Sequence, residues 1–185
     1  MSEFFDHITP DHAAFIARQP VFFVATAAAD ARINLSPKGM DTFRVLEGGR
    51  QCAYLDFGGS GNETHAHLAA DGRITIMFCA FDQPALIYRI YGRGRAVLPQ
   101  DADWDALAAH FTLERGVRQI FLVDVDSTQT SCGWAVPKMA LVEERQTLRK
   151  YYVNDDAGER LAKYQQRIRS IDGLPITPPS RLTYS

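Results

Sequence analysis

The sequence predicts an α+β protein, an antiparallel β-barrel with peripheral helices. Between residues 20 and 98, β-branched and aromatic runs are separated by turn signals, as in an antiparallel meander. Helical patterning is confined to a short segment before this region, one insertion within it and the part that follows. An open sheet of about six or seven strands would leave exposed edges, so we expect it to close into a barrel.

Size and composition fit one domain. The chain has 185 residues, of which 46% are hydrophobic and 11% aromatic, enough to fill a core. We predict a barrel core over about residues 20–136 and a C-terminal helical extension over about 137–185. The net charge of −2 argues against a protein that coats nucleic acid, because such affinity depends on neutralising many phosphates.

Targeting and redox signals point to the cytoplasm. No apolar run approaches the roughly 20 residues that a membrane-spanning helix needs, so no membrane partner is expected. Met1 to His7 lack the basic and apolar regions of a secretory leader. Cys52, Cys79 and Cys132 form no C-x-x-C pair, which argues against structural disulfides and a thiolate zinc site.

The first helix and the strands each have a local signal. Thr9-Pro10-Asp11 supplies a hydroxyl cap, a proline at the first helical position and an acid, predicting a helix that ends before Pro20. Gly48-Gly49 predicts a hairpin turn, because glycine adopts positive φ freely. Asp82-Gln83-Pro84 joins the last two strands. The predicted strands are Val21 to Ala27, Arg32 to Ser36, Thr42 to Leu46, Gln51 to Phe57, Arg73 to Phe81 and Ala85 to Leu98.

The insertion and the C-terminal part carry the remaining helices. From Gly58 a glycine-rich loop leads into a short alanine-rich helix that Gly72 ends. Later segments predict a helix, a strand and two charged helices, and prolines make the tail from Leu174 irregular. These later segments are Asp101 to Phe111, Arg118 to Asp126, Val142 to Tyr152 and Glu159 to Ile171.

The glycine-rich loop is a candidate phosphate site. Successive glycines before a helix present converging N–H groups and the positive end of a helix dipole, and Asn62 and Thr64 could add donors. The alternative is a mobile turn in which Ser60 and Glu63 form a capping box. Glu63 opposes an anion here unless its carboxylate points away.

Ile33 to Gly39 is a second candidate segment. This strand ends in Ser-Pro-Lys-Gly, and Lys38 offers a charge for a phosphate or an electron-rich ring edge. The alternative is a strand end with a solvated lysine.

Other reactive residues predict no chemistry. His65 and His67 are two apart on a helix and point in different directions, so we assign them no metal. The basic stripe that contains Arg89 fits a solvated or dimer-facing surface, since no RNA-binding aromatic motif accompanies it. Cys132 has no identifiable histidine partner, and no G-x-S-x-G elbow is present.

Taken together, these segments resemble the pyridoxamine 5′-phosphate oxidase-like family, whose fold is an FMN-binding split β-barrel of antiparallel Greek-key type. The similarity covers most of residues 20–98. Two later motifs, Thr130 to Pro137 and Ser170 to Pro175, are similar to those of one uncharacterised branch. The segments that carry the resemblance are Val21 to Ala27, Ile33 to Gly39, Tyr54 to Phe57, Gly59 to Thr64, Gly72 to Phe78 and Arg89 to Arg93.

The resemblance implies a homodimer with two FMN molecules at the subunit interface. Arg89 is expected to face the same groove as the flavin-lining strand, and Ser131 to Trp134 to close the site from the partner subunit. Where the oxidase carries Arg-Lys, this chain has Glu63-Thr64, and its tail lacks the oxidase's substrate-binding pattern. The implied cofactor-binding residues are Asn34, Leu35, Ser36, Lys38, Leu55, Asp56, Asn62, Glu63, Thr64, Arg89, Ser131 and Trp134.

The resemblance therefore predicts an FMN-dependent oxidoreductase that acts on a small-molecule substrate. No catalytic acid or base is identifiable, and the sequence leaves open whether a deazaflavin or haem replaces FMN. Two alternatives remain: a non-catalytic flavin or small-ligand binding protein on the same fold, and a structural dimer with an empty groove.

Overall fold

The computed structural model describes residues 2–184, which form one curled antiparallel sheet of eight strands with five α-helices around it. The elements are β1 (Glu3–Phe5), α1 (Pro10–Ala17), β2 (Val21–Thr26), β3 (Asn34–Gly39), β4 (Phe43–Leu46), β5 (Gln51–Phe57), α2 (Glu63–Ala70), β6 (Arg73–Cys79), β7 (Leu86–Val97), α3 (Trp104–Ala108), β8 (Val117–Cys132), α4 (Thr147–Val153) and α5 (Ala157–Gln166).

The sheet has the strand order β3-β2-β6-β7-β8-β5-β4, and β1 pairs with β8. Its two end strands, β3 and β4, each pair with one neighbour within residues 2–184, so the barrel is split rather than closed. This confirms the predicted β-barrel with helices and corrects the expectation of full closure. The candidate site lies at the opening beside β3.

Local signals explain how the elements begin and turn. The Thr9 hydroxyl accepts a hydrogen bond from the His12 N–H at 3.3 Å, which caps α1. Gly48 and Gly49 have φ values of 61° and 88° and lie in the connection between β4 and β5, as predicted. Gly72 ends α2 with a φ of 87°.

The sheet buries one core on each face. The concave face holds the larger core, in which Phe22, Tyr54 and Phe78 pack ring against ring. On the opposite face, Leu55 packs with α3 through Trp104 in a second cluster. Because successive strand residues point to opposite faces, each site residue on a strand is assigned by its position to one of these two surfaces.

The later elements differ from the prediction in length. Strand β8 runs on to Cys132, and α3 is shorter than Asp101 to Phe111. Helix α4 begins at Thr147 instead of Val142, and Glu144, which precedes the helix, binds Arg149 within it at 2.8 Å. After α5 the chain turns at Gly173, and no helix within residues 2–184 is long and apolar enough to cross a membrane.

Candidate functional site

A cavity of about 320 Å³ opens between β3, the end of β5 and the start of α2. It brings together seven of the twelve residues that the sequence singled out, and these come from three separate elements. Its lining is Asn34, Ser36, Lys38, Asp56, Phe57, Gly59, Ser60, Gly61, Asn62, Glu63, Thr64, Arg118 and Phe121. Its volume lies at the lower end of the range of roughly 300–1,000 Å³ usual for small-molecule sites.

A buried carboxylate organises the cavity. The Asp56 Oδ2 atom accepts hydrogen bonds from Arg118 Nη2 at 2.7 Å and from Gln119 Nε2 at 2.9 Å. Its Oδ1 atom accepts one from Lys38 Nζ at 3.1 Å. Burial raises the pKa of Asp56, but Arg118 and Lys38 together outweigh it and lower the pKa to about 2. Asp56 is therefore ionised and holds both cations at the cavity wall.

The first turn of α2 lacks a side-chain cap. Asn62 is the N-cap residue, but its Oδ1 atom accepts from Gln119 Nε2 at 2.7 Å instead of from an N–H of its own helix. The Glu63 carboxylate accepts from the Ile171 N–H at 3.1 and 3.3 Å, so it is turned to the C-terminal segment. The capping box of Ser60 and Glu63 does not form. The first N–H groups of α2 thus remain available to an anion at the cavity.

The glycine-rich loop is held from both sides. Arg118 Nη1 donates to the Gly61 carbonyl at 3.0 Å from within the sheet. On the outer side, the Tyr152 hydroxyl donates to the Gly58 carbonyl, and Arg167 Nη1 donates to the Gly59 carbonyl at 2.8 Å. The loop is therefore a braced structure and not the mobile turn that was the alternative.

The two histidines of α2 have different partners, as their spacing predicted. His65 Nε2 accepts from the Thr177 N–H at 3.2 Å, so its Nδ1 donates to Gln119 Oε1 at 2.9 Å. Burial lowers the pKa of His65, which keeps it in this neutral form. His67 Nδ1 lies 3.1 Å from the hydroxyl of Thr26.

Five of the expected site residues lie away from the cavity. Leu35 is on the opposite face of β3 and is 67% exposed, and Leu55 is buried against α3. Arg89 donates to the Ser131 hydroxyl at 2.8 Å on the outer face of the sheet, so the expected shared groove does not form within one chain. Trp134 lies beyond β8 and is 84% exposed.

Arg118 and Gln119 are site residues that the sequence prediction missed. Both lie at the start of β8, where Gln119 is the register partner of Asp56 on β5. Two adjacent polar residues interrupt an otherwise apolar run in the first seven residues of the strand. A buried polar pair in such a strand needs partners, and this was the available signal.

Comparison with known proteins identifies the family. The family model for pyridoxamine 5′-phosphate oxidase matches residues 8–132. The protein ustO of Aspergillus flavus, described as a pyridoxamine 5′-phosphate oxidase family protein, is 33% identical over 197 aligned residues, which cover 95% of this chain and 78% of ustO.

Solved structures show the same fold at low sequence identity. A HupZ variant from group A Streptococcus superposes with a TM-score of 0.54 at 20% identity, covering 67% of this chain and 99% of that one. A candidate pyridoxamine 5′-phosphate oxidase from Lactobacillus delbrueckii gives a TM-score of 0.54 at 12% identity, covering 67% and 94%. The family match extends over strands β2 to β8 and includes every element that lines the cavity. The chain therefore belongs to the pyridoxamine 5′-phosphate oxidase family.

Proposed function

We propose that this chain is an FMN-binding flavoprotein whose cavity between β3 and α2 holds the FMN phosphate. The observation that carries the proposal is the uncapped first turn of α2, which opens into a cavity that also contains Lys38 and Arg118. In a member of this family, that combination of N–H donors and cations suits a phosphate ester.

The residues present fit a phosphate group. Lys38 and Arg118 carry two positive charges, which Asp56 and Glu63 match in number, but the Glu63 carboxylate is turned to the Ile171 N–H. Thr64 accepts a hydrogen bond from Asn34 Nδ2 at 3.1 Å, which leaves the proton of its hydroxyl for a phosphate oxygen. Thr64, the α2 N–H groups and Lys38 would therefore hold the phosphate in place of the missing Arg-Lys pair.

The proposal includes a homodimer. Arg89 and Ser131 lie on the outer sheet face, which also exposes Ile33 and Leu35. A second copy docked on this face would bring its Ser131 to Trp134 segment toward the flavin ring of the first. The isoalloxazine ring, when bound, supplies hydride or electron transfer, and the protein supplies its position and electrostatic surroundings.

The proposed activity is that of an oxidoreductase acting on a small-molecule substrate in the cytoplasm. Free cysteines at three positions suit a reducing compartment. A non-catalytic flavin-binding protein is the second candidate. It is favoured by the cavity itself, where Lys38, Asp56, Glu63 and Arg118 each have a hydrogen-bond partner and none is poised as a free acid or base.

Absorption spectroscopy tests the cofactor. Purified protein should be yellow, with the two visible bands of an oxidised flavin, and denaturation should release FMN that chromatography distinguishes from FAD, a deazaflavin or haem. Apoprotein should bind added FMN with one site per chain. Colourless protein that takes up no FMN would overturn the proposal.

Stopped-flow reduction separates the enzyme from the binding protein. Bound flavin is mixed with NADPH or NADH without oxygen and then exposed to air. Bleaching followed by repeated reoxidation supports an oxidoreductase. Retention of the oxidised spectrum with both donors favours the binding protein, while the FMN titration still decides whether a flavin site exists.

A further inference from the structure

We propose that Glu63, His67 and Asp172 bind one divalent transition-metal ion, which fastens the C-terminal segment to helix α2. Each residue offers one ligand atom, and these atoms lie within 4.8 Å of one another. Glu63 and His67 are four residues apart on α2, a spacing that brings two side chains onto one helix face. Asp172 comes from the turn after α5, so the ion would join two distant parts of the chain.

His67 is the residue that points to a ligand. It is only 1% exposed, yet its Nε2 atom has no hydrogen-bond partner within residues 2–184. A buried imidazole nitrogen without a partner is costly, so a missing partner is expected at this position. The carboxylates of Glu63 and Asp172 lie beyond hydrogen-bond reach of Nε2 but close enough for an ion to bridge them.

The hydrogen bonds of His67 prepare it for this role. Its Nδ1 atom lies 3.1 Å from the hydroxyl of Thr26, which is itself buried. When Nδ1 donates its proton to that oxygen, Nε2 carries the lone pair, as in most metal-binding histidines. Thr26 therefore acts as a positioning residue that fixes the tautomer and the orientation of the ring.

Both carboxylates are held in place by backbone donors. The Ile171 N–H donates to Glu63, and the Arg32 N–H donates to Asp172 Oδ2 at 2.8 Å. The Arg32 guanidinium also binds Asp172, which leaves a net charge of −1 for the two carboxylates and this cation. An added dication would meet an anionic site, and each carboxylate oxygen retains a second lone pair for it.

The ligand set indicates the class of metal. One imidazole with two carboxylates suits zinc, manganese or iron, whereas magnesium and calcium favour oxygen ligands alone. Ligand atoms about 2.0–2.2 Å from a tetrahedral ion lie about 3.3–3.6 Å apart, so a movement of each ligand atom by up to about 1 Å would complete the site. Water would fill the remaining positions.

Zinc titration of the tag-free full-length protein tests the proposal. After treatment with a chelator and dialysis, isothermal titration calorimetry should show one Zn²⁺ per chain and no comparable binding of Mg²⁺. In protein labelled with ¹⁵N-histidine, Zn²⁺ should shift the Nε2 resonance of His67 and leave that of His65 in place. Absence of stoichiometric binding, or an unmoved His67 resonance, would overturn the site.

Isosteric variants locate the ion. Glu63→Gln and Asp172→Asn should each weaken Zn²⁺ binding at least tenfold. Glu159→Gln is the matched control, since it makes the same change in the first turn of α5 and should leave the affinity unchanged. Equal affinity in all the variants would refute the assignment. FMN titration of the same chelator-treated samples tests the proposed flavin site independently of the metal site.

Discussion

Asp56 is the residue on which the geometry of the cavity depends. It is ionised and nearly fully buried, and it receives hydrogen bonds from Arg118, Gln119 and Lys38 on two different strands. Desolvation makes a buried ion pair a weak source of net stability. Removal of one partner, however, leaves the other charge buried without a counter-charge. The same carboxylate that anchors the cations also limits how much positive charge the cavity offers a phosphate.

Replacing Asp56 should therefore lower the free energy of unfolding far more than replacing a residue of an exposed ion pair. We expect Asp56→Asn to lower the free energy of unfolding by about 3–5 kcal/mol, because the Arg118 side chain is only 5% exposed and loses its counter-charge. Asp103→Asn, which breaks the exposed pair with Arg95, should cost about 0–1 kcal/mol. Urea denaturation of both variants measures the difference, and similar losses would contradict a buried network.

The same carboxylate gives a pH dependence of defined sign. Its pKa is lowered from 3.8 to about 2 on folding, so it adds stability at pH values above 3.8 and loses that contribution as the pH falls through about 2. The shift corresponds to about 2 kcal/mol. The stability gap between wild type and Asp56→Asn should shrink by this amount between pH 5 and about pH 2. Other acids titrate in both proteins, so a constant gap would show that Asp56 is not the group responsible.

At the scale of elements, the glycine-rich loop depends on the C-terminal helices. A β-carbon added at Gly58 would lie 1.5 Å from the Tyr164 hydroxyl of α5, whereas one at Gly59 would meet no atom within 4 Å. Tyr152 of α4 binds the carbonyl of the same Gly58. The C-terminal extension thus shapes the cavity from outside, although none of its residues up to 184 lines the cavity.

This arrangement predicts different effects for two neighbouring substitutions. Gly58→Ala should displace Tyr164 and reduce the free energy of unfolding by about 1–3 kcal/mol, as overpacking of a buried contact does. It should also weaken FMN binding by shifting the loop. Gly59→Ala has open space and should leave the free energy of unfolding unchanged. Thermal unfolding and FMN titration of the pair give the measurement, and equal behaviour would mean that α5 does not brace the loop.

Sequence signals predicted those elements whose cause is local. Strand β5 has the predicted bounds Gln51–Phe57, and the glycines that flank α2 act as turn and terminator. Lys38 and Asn62 were singled out from such local signals, whereas Asp56 was implied only by the family resemblance; all three line the cavity. Arg118 was missed because its partner is set by the pairing of β5 with β8, which joins residues 62 apart in the chain. A local sequence pattern does not reveal which residues of two distant strands lie opposite each other.

Long-range contacts also explain the errors at the C-terminal end. The charged stretch from Val142 has a helical pattern, yet α4 begins only at Thr147. Arg149 there bonds to Glu114, which lies in the loop before β8, at 2.6 Å as well as to Glu144. Such tertiary ion pairs decide which part of a weakly amphipathic segment becomes a helix.

At the scale of the whole molecule, α3 covers the outer sheet face at one end, while the end beside β3 leaves apolar side chains exposed. A cross-strand row there runs through Pro37, Phe23, Met77, Arg89 and Gln129, in register across five strands. Ile33 and Leu35 at its edge are 79% and 67% exposed. Large apolar side chains exposed together at one sheet edge indicate an interaction site. The proposed homodimer would cover it.

A charge placed on this face should separate the subunits. We expect wild-type protein to sediment as a dimer at micromolar concentration and Leu35→Lys to sediment as a monomer, because two like charges would be buried at a twofold interface. Val153→Lys makes the same change at an exposed apolar residue of α4 and should remain a dimer. Because the partner would bring the Ser131 to Trp134 segment toward the flavin ring, the Leu35→Lys monomer should also bind FMN at least tenfold more weakly. A monomeric variant with unaltered FMN affinity would show that the FMN site lies within one chain. A dimeric Leu35→Lys protein would show that the interface lies on another surface.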